Sequence, residues 1–108
     1  MRLLLDECVP ARLRRSLPSH QVSTVVQEGW SGVKNGKLLA LAATGFDAFI
    51  TVDKNLSYQQ NTSNLPVAVL VLDTASNDLP HLRTLVPALE AALANLKPGS
   101  YVLLKADV

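Results

Sequence analysis

The chain has 108 residues, a net charge of +1 and one cysteine; 48% of its residues are hydrophobic and 18% are charged. This length predicts a single domain over residues 1–108, and the balance of apolar and charged residues excludes a disordered chain. One cysteine excludes an intramolecular disulfide, and the near-neutral charge leaves nucleic-acid binding to a local patch. We expect a cytoplasmic protein without a membrane span, because the sequence has neither a signal-peptide pattern nor a long apolar run.

Three short apolar runs each stop at a carboxylate. They are residues 3–5 before Asp6, residues 48–52 before Asp53, and residues 67–72 before Asp73. Runs of this kind are typical of strands buried on both faces, as in parallel sheets. The carboxyl ends of parallel strands share one edge, where α/β proteins bind ligands. If the first two strands are neighbours, Asp6 and Asp53 come together there.

Between the first two of these strands the sequence alternates helical and β-branched patterns. A helix begins at Pro10, whose missing N–H suits the first helical position, and a β-branched strand follows at 21–26. A loop around Trp30 leads to a second helix, for which Asn35 is a plausible N-cap. We expect the tryptophan to plug the core under its loop rather than to stack a base.

The second half of the chain continues the alternation. A short helix plus loop is expected over the polar stretch 57–64. Asp78 can cap a helix that Pro87 should kink or divide into two, and residues 101–104 predict a last strand. The whole pattern predicts a three-layer α/β fold, with a central, mainly parallel sheet of about five strands flanked by helices.

Three segments carry a family resemblance. Residues 3–10 (Leu-Leu-Leu-Asp-Glu-Cys-Val-Pro) and 51–56 (Thr-Val-Asp-Lys-Asn-Leu) resemble the small stand-alone PIN-like proteins, which are related to toxin-type PIN domains. Residues 30–39 resemble that family's loop and second helix start. The resemblance implies a PIN-like sheet and a Mg²⁺- or Mn²⁺-dependent endoribonuclease, frequently the toxin of a toxin–antitoxin pair. Lys37 and Asn55 stand where the family often has acids.

Hydrolysis of a phosphodiester by this kind of site needs hard cations, and two carboxylates suffice to hold Mg²⁺ together with water and substrate phosphate. Asp6 and Asp53 are therefore the expected catalytic metal ligands, although each could merely cap the helix or turn that follows its strand. Glu7 is the next catalytic candidate, or a charge that stabilises a helix N-terminus. Cys8, beside these acids, is expected to be a buried small hydrophobe.

Further metal ligands are expected among neighbouring polar residues. Asn35 and Asn55 can supply neutral oxygens or hold a metal-bound water, and a site with fewer charges binds its ion more weakly. Asp73 could replace a missing acid because it also ends a strand, or it could form an Asx turn.

RNA is the expected substrate, and a few residues are expected to contact it. The basic residues expected to flank the crevice are Lys54, Lys34, Arg12 and Lys37. Tyr58 could stack a base or be a half-buried loop residue. Apolar surface around the last helix could bind an antitoxin protein or a second copy of the chain.

Two other functions remain open. One is a PIN-like module whose site has decayed and which binds RNA or a partner protein, as Lys37 and Asn55 would allow. The other is a phosphoacceptor receiver-like domain, which needs acids after its first and third strands, a hydroxyl such as Thr74 after the fourth, and a lysine such as Lys105 ending the fifth.

Overall fold

The computed structural model describes residues 1–106, apart from the side chains of Tyr58 and Gln59. Within this range five strands form one sheet: β1 (Arg2–Leu5), β2 (Gln21–Thr24), β3 (Ala48–Thr51), β4 (Ala68–Asp73) and β5 (Tyr101–Lys105). The helices are a 3₁₀ helix (Ala11–Ser16), α1 (Asn35–Ala43), α2 (Leu56–Gln59), α3 (Leu79–Arg83) and α4 (Val86–Ala94). No helix in the described part of the chain is long and apolar enough to cross a membrane.

The strands lie in the order β2-β1-β3-β4-β5, and every neighbouring pair is parallel. The predicted α/β fold is therefore confirmed, with a sheet that is wholly parallel. The chain steps from β1 to β2 on one side and later adds β3, β4 and β5 on the other. The strand order thus reverses between β1 and β3, and α/β sheets bind their ligands outside the carboxyl ends of strands at such a switch point.

Helices cover both faces of the sheet because the strands carry apolar side chains on each face. On one face, Leu5, Ile50 and Leu72 pack with the 3₁₀ helix, α3 and α4. On the other face, Phe49 and Val71 pack with α1 and α2. By the alternation of strand side chains, Asp6, Thr51 and Asp73 all belong to the α1/α2 face.

The connection from β4 to β5 differs from the other three. It carries α3 and α4 over the face that also holds the 3₁₀ helix between β1 and β2, yet the two connections step in opposite directions along the sheet. The connections through α1 and α2 step toward β5 over the other face. The β4-to-β5 connection is therefore opposite in hand to the rest, whereas such crossovers are ordinarily all right-handed.

The predicted helices form with adjusted boundaries. The first is 3₁₀ rather than α: the Leu13 amide donates to the carbonyl of Pro10, three residues back. The residue at the N-cap of α1 is Lys34, so Asn35 is the first helical residue and not the cap. Pro87 divides the last helical stretch into α3 and α4, as expected, because it sits in the first turn of α4, where its missing N–H is tolerated.

Candidate active site at the carboxyl edge of the sheet

Asp6 and Thr51 meet where β1 and β3 end. The amide of Asp6 extends the ladder by donating to the Ile50 carbonyl (2.9 Å). The hydroxyl of Thr51, which is fully buried, donates to Asp6 Oδ2 (2.7 Å). The other oxygen, Oδ1, accepts from the Glu7 amide (2.8 Å). Asp6 is thus a half-buried carboxylate whose orientation is fixed from two sides.

The same hydroxyl brings Asp53 into the cluster. The Asp53 amide donates to Thr51 Oγ1 (3.0 Å), so one oxygen atom joins the residue after β1 to the second residue after β3. Asp53 Oδ1 accepts from the Asn55 amide (2.9 Å) in an Asx turn. The side chain of Asp6 and the backbone of Asp53 therefore share Thr51 as a partner at the switch point of the sheet, and the convergence of the two carboxylates stays a prediction.

The side chain of Glu7 binds the loop before α1. Its Oε1 accepts from the Gly32 amide (2.9 Å) and its Oε2 from the Ser31 hydroxyl (3.1 Å). Gly32 has a φ of +80°, a left-handed conformation that suits glycine. In this arrangement Glu7 positions the loop before α1 and does not cap a helix.

The two asparagines begin the two helices of the α1/α2 face. Asn35 is half-buried in the first turn of α1 and Asn55 is exposed at the N-cap position of α2. The backbone amide of Asn55 donates to Asp53, as described above. The side chain of Gln60, at the C-terminal end of α2, approaches Gly36 in the first turn of α1.

Asp73 is engaged by a cation. The ammonium of Lys54 lies 3.2 Å from Asp73 Oδ1, which bridges the residue after Asp53 to the end of β4. Asp73 is also the register partner of Lys105 on β5. Two lysines thus border this carboxylate, whereas Asp6 and Asp53 are held by hydrogen bonds.

The residues predicted to contact RNA divide between the two faces. Lys34 and Lys37 are exposed at the start of α1, on the α1/α2 face, and Lys54 is 62% exposed despite its ion pair. Arg12 is exposed on the 3₁₀ helix, on the opposite face. The side chain of Tyr58 lies outside the described residues.

Cys8 is exposed rather than buried, so the expectation of a buried small hydrophobe is wrong. Its thiol lies 3.5 Å from Asp6 Oδ2 and 3.6 Å from Thr51 Oγ1, because Cys8 falls in the turn after β1 and not in the sheet. Partial desolvation of the sulfur raises the pKa of the Cys8 thiol, and the negative charge of Asp6 raises it further. Hydrogen bonding to Val52 and Thr51 acts against both.

The carboxylate oxygens at this site suit a hard cation that is bound weakly. Among the described residues, no three His, Cys, Asp or Glu side chains form a group that could hold a metal ion. Mg²⁺ needs only one or two protein carboxylates when water and substrate phosphate complete its shell. The carboxylates of Asp6 and Asp53 fit that minimum in number, and the Thr51 hydroxyl contacts the side chain of Asp6 and the backbone amide of Asp53.

Thr51 is the residue that sequence reasoning missed. A signal was available, since Thr51 is polar at the end of an otherwise apolar strand and precedes Asp53 by two residues. Its fully buried hydroxyl needs partners, and the nearest polar groups in a parallel sheet are those at the neighbouring strand end.

No protein-family model, curated protein or solved structure matches this chain. The resemblance to PIN-like proteins therefore rests on the residues quoted above and stays a prediction.

Proposed function

We propose that the protein is a metal-dependent endoribonuclease of the PIN-like kind, which hydrolyses RNA phosphodiesters at the carboxyl edge of the sheet. The observation that carries the proposal is the Thr51 hydroxyl, which joins Asp6 to the backbone of Asp53 at the switch point. A buried hydroxyl that orients one carboxylate and anchors the next is the kind of support that a preorganised site requires.

Each residue has a role in this chemistry. A bound Mg²⁺ or Mn²⁺ would supply an activated water and stabilise charge on the phosphate oxygens. Asp6 and Asp53 offer the carboxylate oxygens that hold such an ion, and Thr51 fixes the direction of Asp6. Asn55 offers a neutral oxygen beside Asp53. Glu7 acts through its loop, because both of its carboxylate oxygens already accept hydrogen bonds.

The substrate contacts follow from the exposed lysines. Lys34, Lys37 and Lys54 border the α1/α2 side of the crevice and can contact the phosphates of a single strand. Because the net charge is only +1, the attraction for RNA at the crevice is confined to these few lysines. The salt dependence of RNA binding there should therefore match the small number of phosphates that they contact. A cognate antitoxin protein is proposed on the family resemblance and a homodimer on the apolar surface around the last helix. A cytoplasmic location is proposed on the sequence pattern given above.

The experiment compares the wild type with Asp6→Asn and Asp53→Asn, and uses Asp47→Asn as the matched control at the other end of β3. Mn²⁺ binding is measured by titration calorimetry and RNA cleavage is assayed on the same samples. We expect the wild type and Asp47→Asn to bind and cut, and the other two variants to lose metal binding. Their cleavage should fall by at least about 100-fold, because the metal supplies several kcal/mol of charge stabilisation.

If the wild type binds no Mn²⁺ and cuts nothing, the nuclease proposal fails, and a non-catalytic PIN-like binding module is then favoured. If all four proteins cut equally, the cleavage comes from a contaminating nuclease, and the proposal again fails.

A receiver-like phosphoacceptor is a second candidate, because the strand order is the one found in flavodoxin-like domains and Lys105 ends β5. Two observations oppose it. The hydroxyl of Thr74 donates to the Ser76 carbonyl, and the β4-to-β5 connection has the opposite hand to the other three. Acetyl phosphate should leave Asp53 unlabelled in a nuclease, whereas mass-spectrometric detection of an acyl phosphate on Asp53 would favour the receiver.

A further inference from the structure

Three arginines of the 3₁₀ helix line one cavity. Arg12, Arg14 and Arg15 surround an open depression of about 260 Å³, and Ala11 completes its lining among the described residues. We call this depression the arginine cavity. None of the described residues that line it is acidic, so it presents only positive charge to a ligand.

The period of the 3₁₀ helix brings these arginines together. With three residues per turn, side chains three positions apart lie on one ridge of the helix. Arg12 and Arg15 therefore share one ridge. Ala11 and Arg14 share the next, and Leu13, on the third, is buried in the core. The small side chain of Ala11 leaves room for the arginine cavity between the two outer ridges.

The guanidinium of Arg14 is held in a fixed position. Its Nε donates to the Ala11 carbonyl (3.3 Å) and its Nη2 donates to Gln27 Oε1 (2.8 Å). Gln27 is itself held, because its amide donates to Thr24 Oγ1 (3.1 Å) and its Oε1 accepts from the Thr24 amide (3.2 Å). Among the described residues none accepts from Arg14 Nη1, so this nitrogen is available to a ligand.

These contacts place the arginine cavity at the same edge of the sheet as the proposed active site. Thr24 ends β2 and is the register partner of Leu5, the residue before Asp6. Neighbouring strands lie about 4.8 Å apart, so Arg14 is anchored one strand away from the end of β1. By strand alternation Thr24 belongs to the face of the 3₁₀ helix, so an RNA strand that crosses this edge can contact both faces.

The three arginines have no anionic partner in the described part of the chain. None of them forms a salt bridge there, and two of them are exposed. The acids of α4 and of the α3 N-cap do not serve them, since Glu90 contacts His20 and Asp78 contacts His81. Like charges around one cavity repel each other, and an anion bound between them removes this repulsion.

We propose that the arginine cavity binds a backbone phosphate of the RNA strand, at a distance from the phosphate that is cut. Guanidinium groups match phosphate oxygens with parallel N–H···O hydrogen bonds. Because two contacts already hold Arg14, it loses little side-chain freedom when the phosphate binds. Phosphate contacts carry no base information, so the cavity positions the strand without selecting a sequence.

This inference deepens the proposed nuclease and rests on that function for the identity of the strand. The same chemistry would also bind a free phosphate ion or the phosphate of a lipid headgroup. The experiments therefore separate these sources from RNA, and they separate binding from cleavage.

The binding test measures the affinity of a single-stranded octanucleotide RNA in EDTA, which removes any contribution from a metal. Arg14→Gln removes one guanidinium, and Gln27→Glu keeps the shape of its side chain while it gives Arg14 a competing carboxylate. Arg15→Gln changes an exposed residue of the same cavity and keeps the test independent of folding. Lys97→Gln is the matched control, because it removes an exposed positive charge before β5, at the opposite edge of the sheet.

We expect each of the three variants at the arginine cavity to weaken octanucleotide binding by roughly tenfold, since a charged hydrogen bond to phosphate is lost. The slope of log affinity against log salt should become shallower by about 0.7, the value for one phosphate of a single strand. Lys97→Gln should change neither the affinity nor the slope.

The cleavage test compares the octanucleotide with a dinucleotide in Mn²⁺. A dinucleotide has one phosphate, which is the one to be cut, so it leaves the arginine cavity empty. Arg14→Gln should therefore lower kcat/KM for the octanucleotide by roughly tenfold and leave dinucleotide cleavage unchanged.

The inference is overturned if octanucleotide affinity is the same in all variants, if Lys97→Gln weakens it as much as Arg14→Gln, or if Arg14→Gln slows dinucleotide cleavage equally. Binding of inorganic phosphate or of phosphatidylglycerol vesicles that depends on Arg14, while RNA binding does not, would also overturn it and assign another source of phosphate. Arg14-dependent RNA binding without any cleavage would support the arginine cavity while the nuclease proposal failed. Metal-dependent cleavage that is insensitive to Arg14 would support the nuclease and overturn the cavity.

Discussion

Strand β3 has a carboxylate at each end, and the two are used differently. Asp47, before the strand, forms a closed pair with the backbone of Arg2: its amide donates to the Arg2 carbonyl (2.7 Å) and its Oδ2 accepts from the Arg2 amide (2.8 Å). Asp53, after the strand, is anchored through a side-chain hydroxyl that also holds Asp6. Asp47 therefore fixes β1 against β3, whereas the backbone of Asp53 shares a buried hydroxyl with the side chain of Asp6.

The surroundings of the two ends differ in the same way. At the amino end, the Arg2 guanidinium lies over the Phe46 ring, 5.2 Å from its centroid, and Phe46 meets Trp30 edge-on at 6.2 Å. Trp30 is half-buried against the core, as predicted. At this end the Arg2 guanidinium packs on an aromatic ring, and the Asp47 carboxylate accepts from the backbone. At the carboxyl end, one buried hydroxyl contacts the side chain of Asp6 and the backbone of Asp53.

The largest effect of a substitution at this end of β3 is expected at Thr51. Thr51→Val keeps the shape of the side chain but leaves Asp6 Oδ2 and the Asp53 amide without their shared partner, so we expect a loss of about 1–3 kcal/mol in the free energy of unfolding. Thr51→Ser removes only a buried methyl group and should cost about 1 kcal/mol. Urea denaturation measures both losses.

Mn²⁺ titration on the same proteins separates orientation from folding. The serine variant should keep most of the metal affinity and the valine variant should lose it, because only serine can orient Asp6. Equal Mn²⁺ affinity in the two variants would mean that the hydroxyl supports the fold but not the site.

This residue also marks the limit of what the sequence could predict. The strand ends at Asp6, Asp53 and Asp73 were readable because a short apolar run that stops at a carboxylate is typical of a buried strand and too short for a buried helix. The helix break at Pro87 followed from the missing N–H. These features depend on local chemistry, which a single sequence contains.

The remaining features depend on which strands become neighbours. The order β2-β1-β3-β4-β5 decides that Thr51 faces Asp6, that Lys54 reaches Asp73, and that Lys105 stands beside Asp73. Glu7 binds a loop 24 residues away from it in the chain, at Ser31. Contacts of this kind arise only after the sheet has assembled, and no local pattern encodes them.

Cys8 provides a smaller effect that reports on Asp6 without any assay of activity. Because desolvation and the Asp6 charge raise the pKa of the thiol, alkylation by iodoacetamide should be slower at mildly alkaline pH than for the same thiol in urea. Asp6→Asn removes the charge, so it should lower the pKa of Cys8 and speed alkylation several-fold. Mn²⁺ bound at Asp6 should act in the same direction on the wild type. Alkylation at one rate in all these states would show that the thiol does not sense Asp6.

The smallest effect is expected at Asp78, a carboxylate used only to cap a helix. Its hydrogen bonds with the His81 ring and amide lower the pKa of Asp78 below the usual aspartate value. Because the pKa of Asp78 is lower in the folded state than in the unfolded state, the ionised carboxylate stabilises the fold at pH values above the unfolded-state pKa. This contribution disappears as the pH falls through the lowered folded-state pKa. The difference in urea midpoint between the wild type and Asp78→Asn should therefore be greatest near neutral pH and shrink in acid.

Two controls accompany this measurement. His81→Ala should remove most of the pH dependence, because the imidazole is its main cause. Neither substitution should change Mn²⁺ affinity, since Asp78 stands apart from Asp6 and Asp53. A margin that stayed constant from neutral to acid pH would show that Asp78 caps α3 through its oxygen alone, without help from its charge.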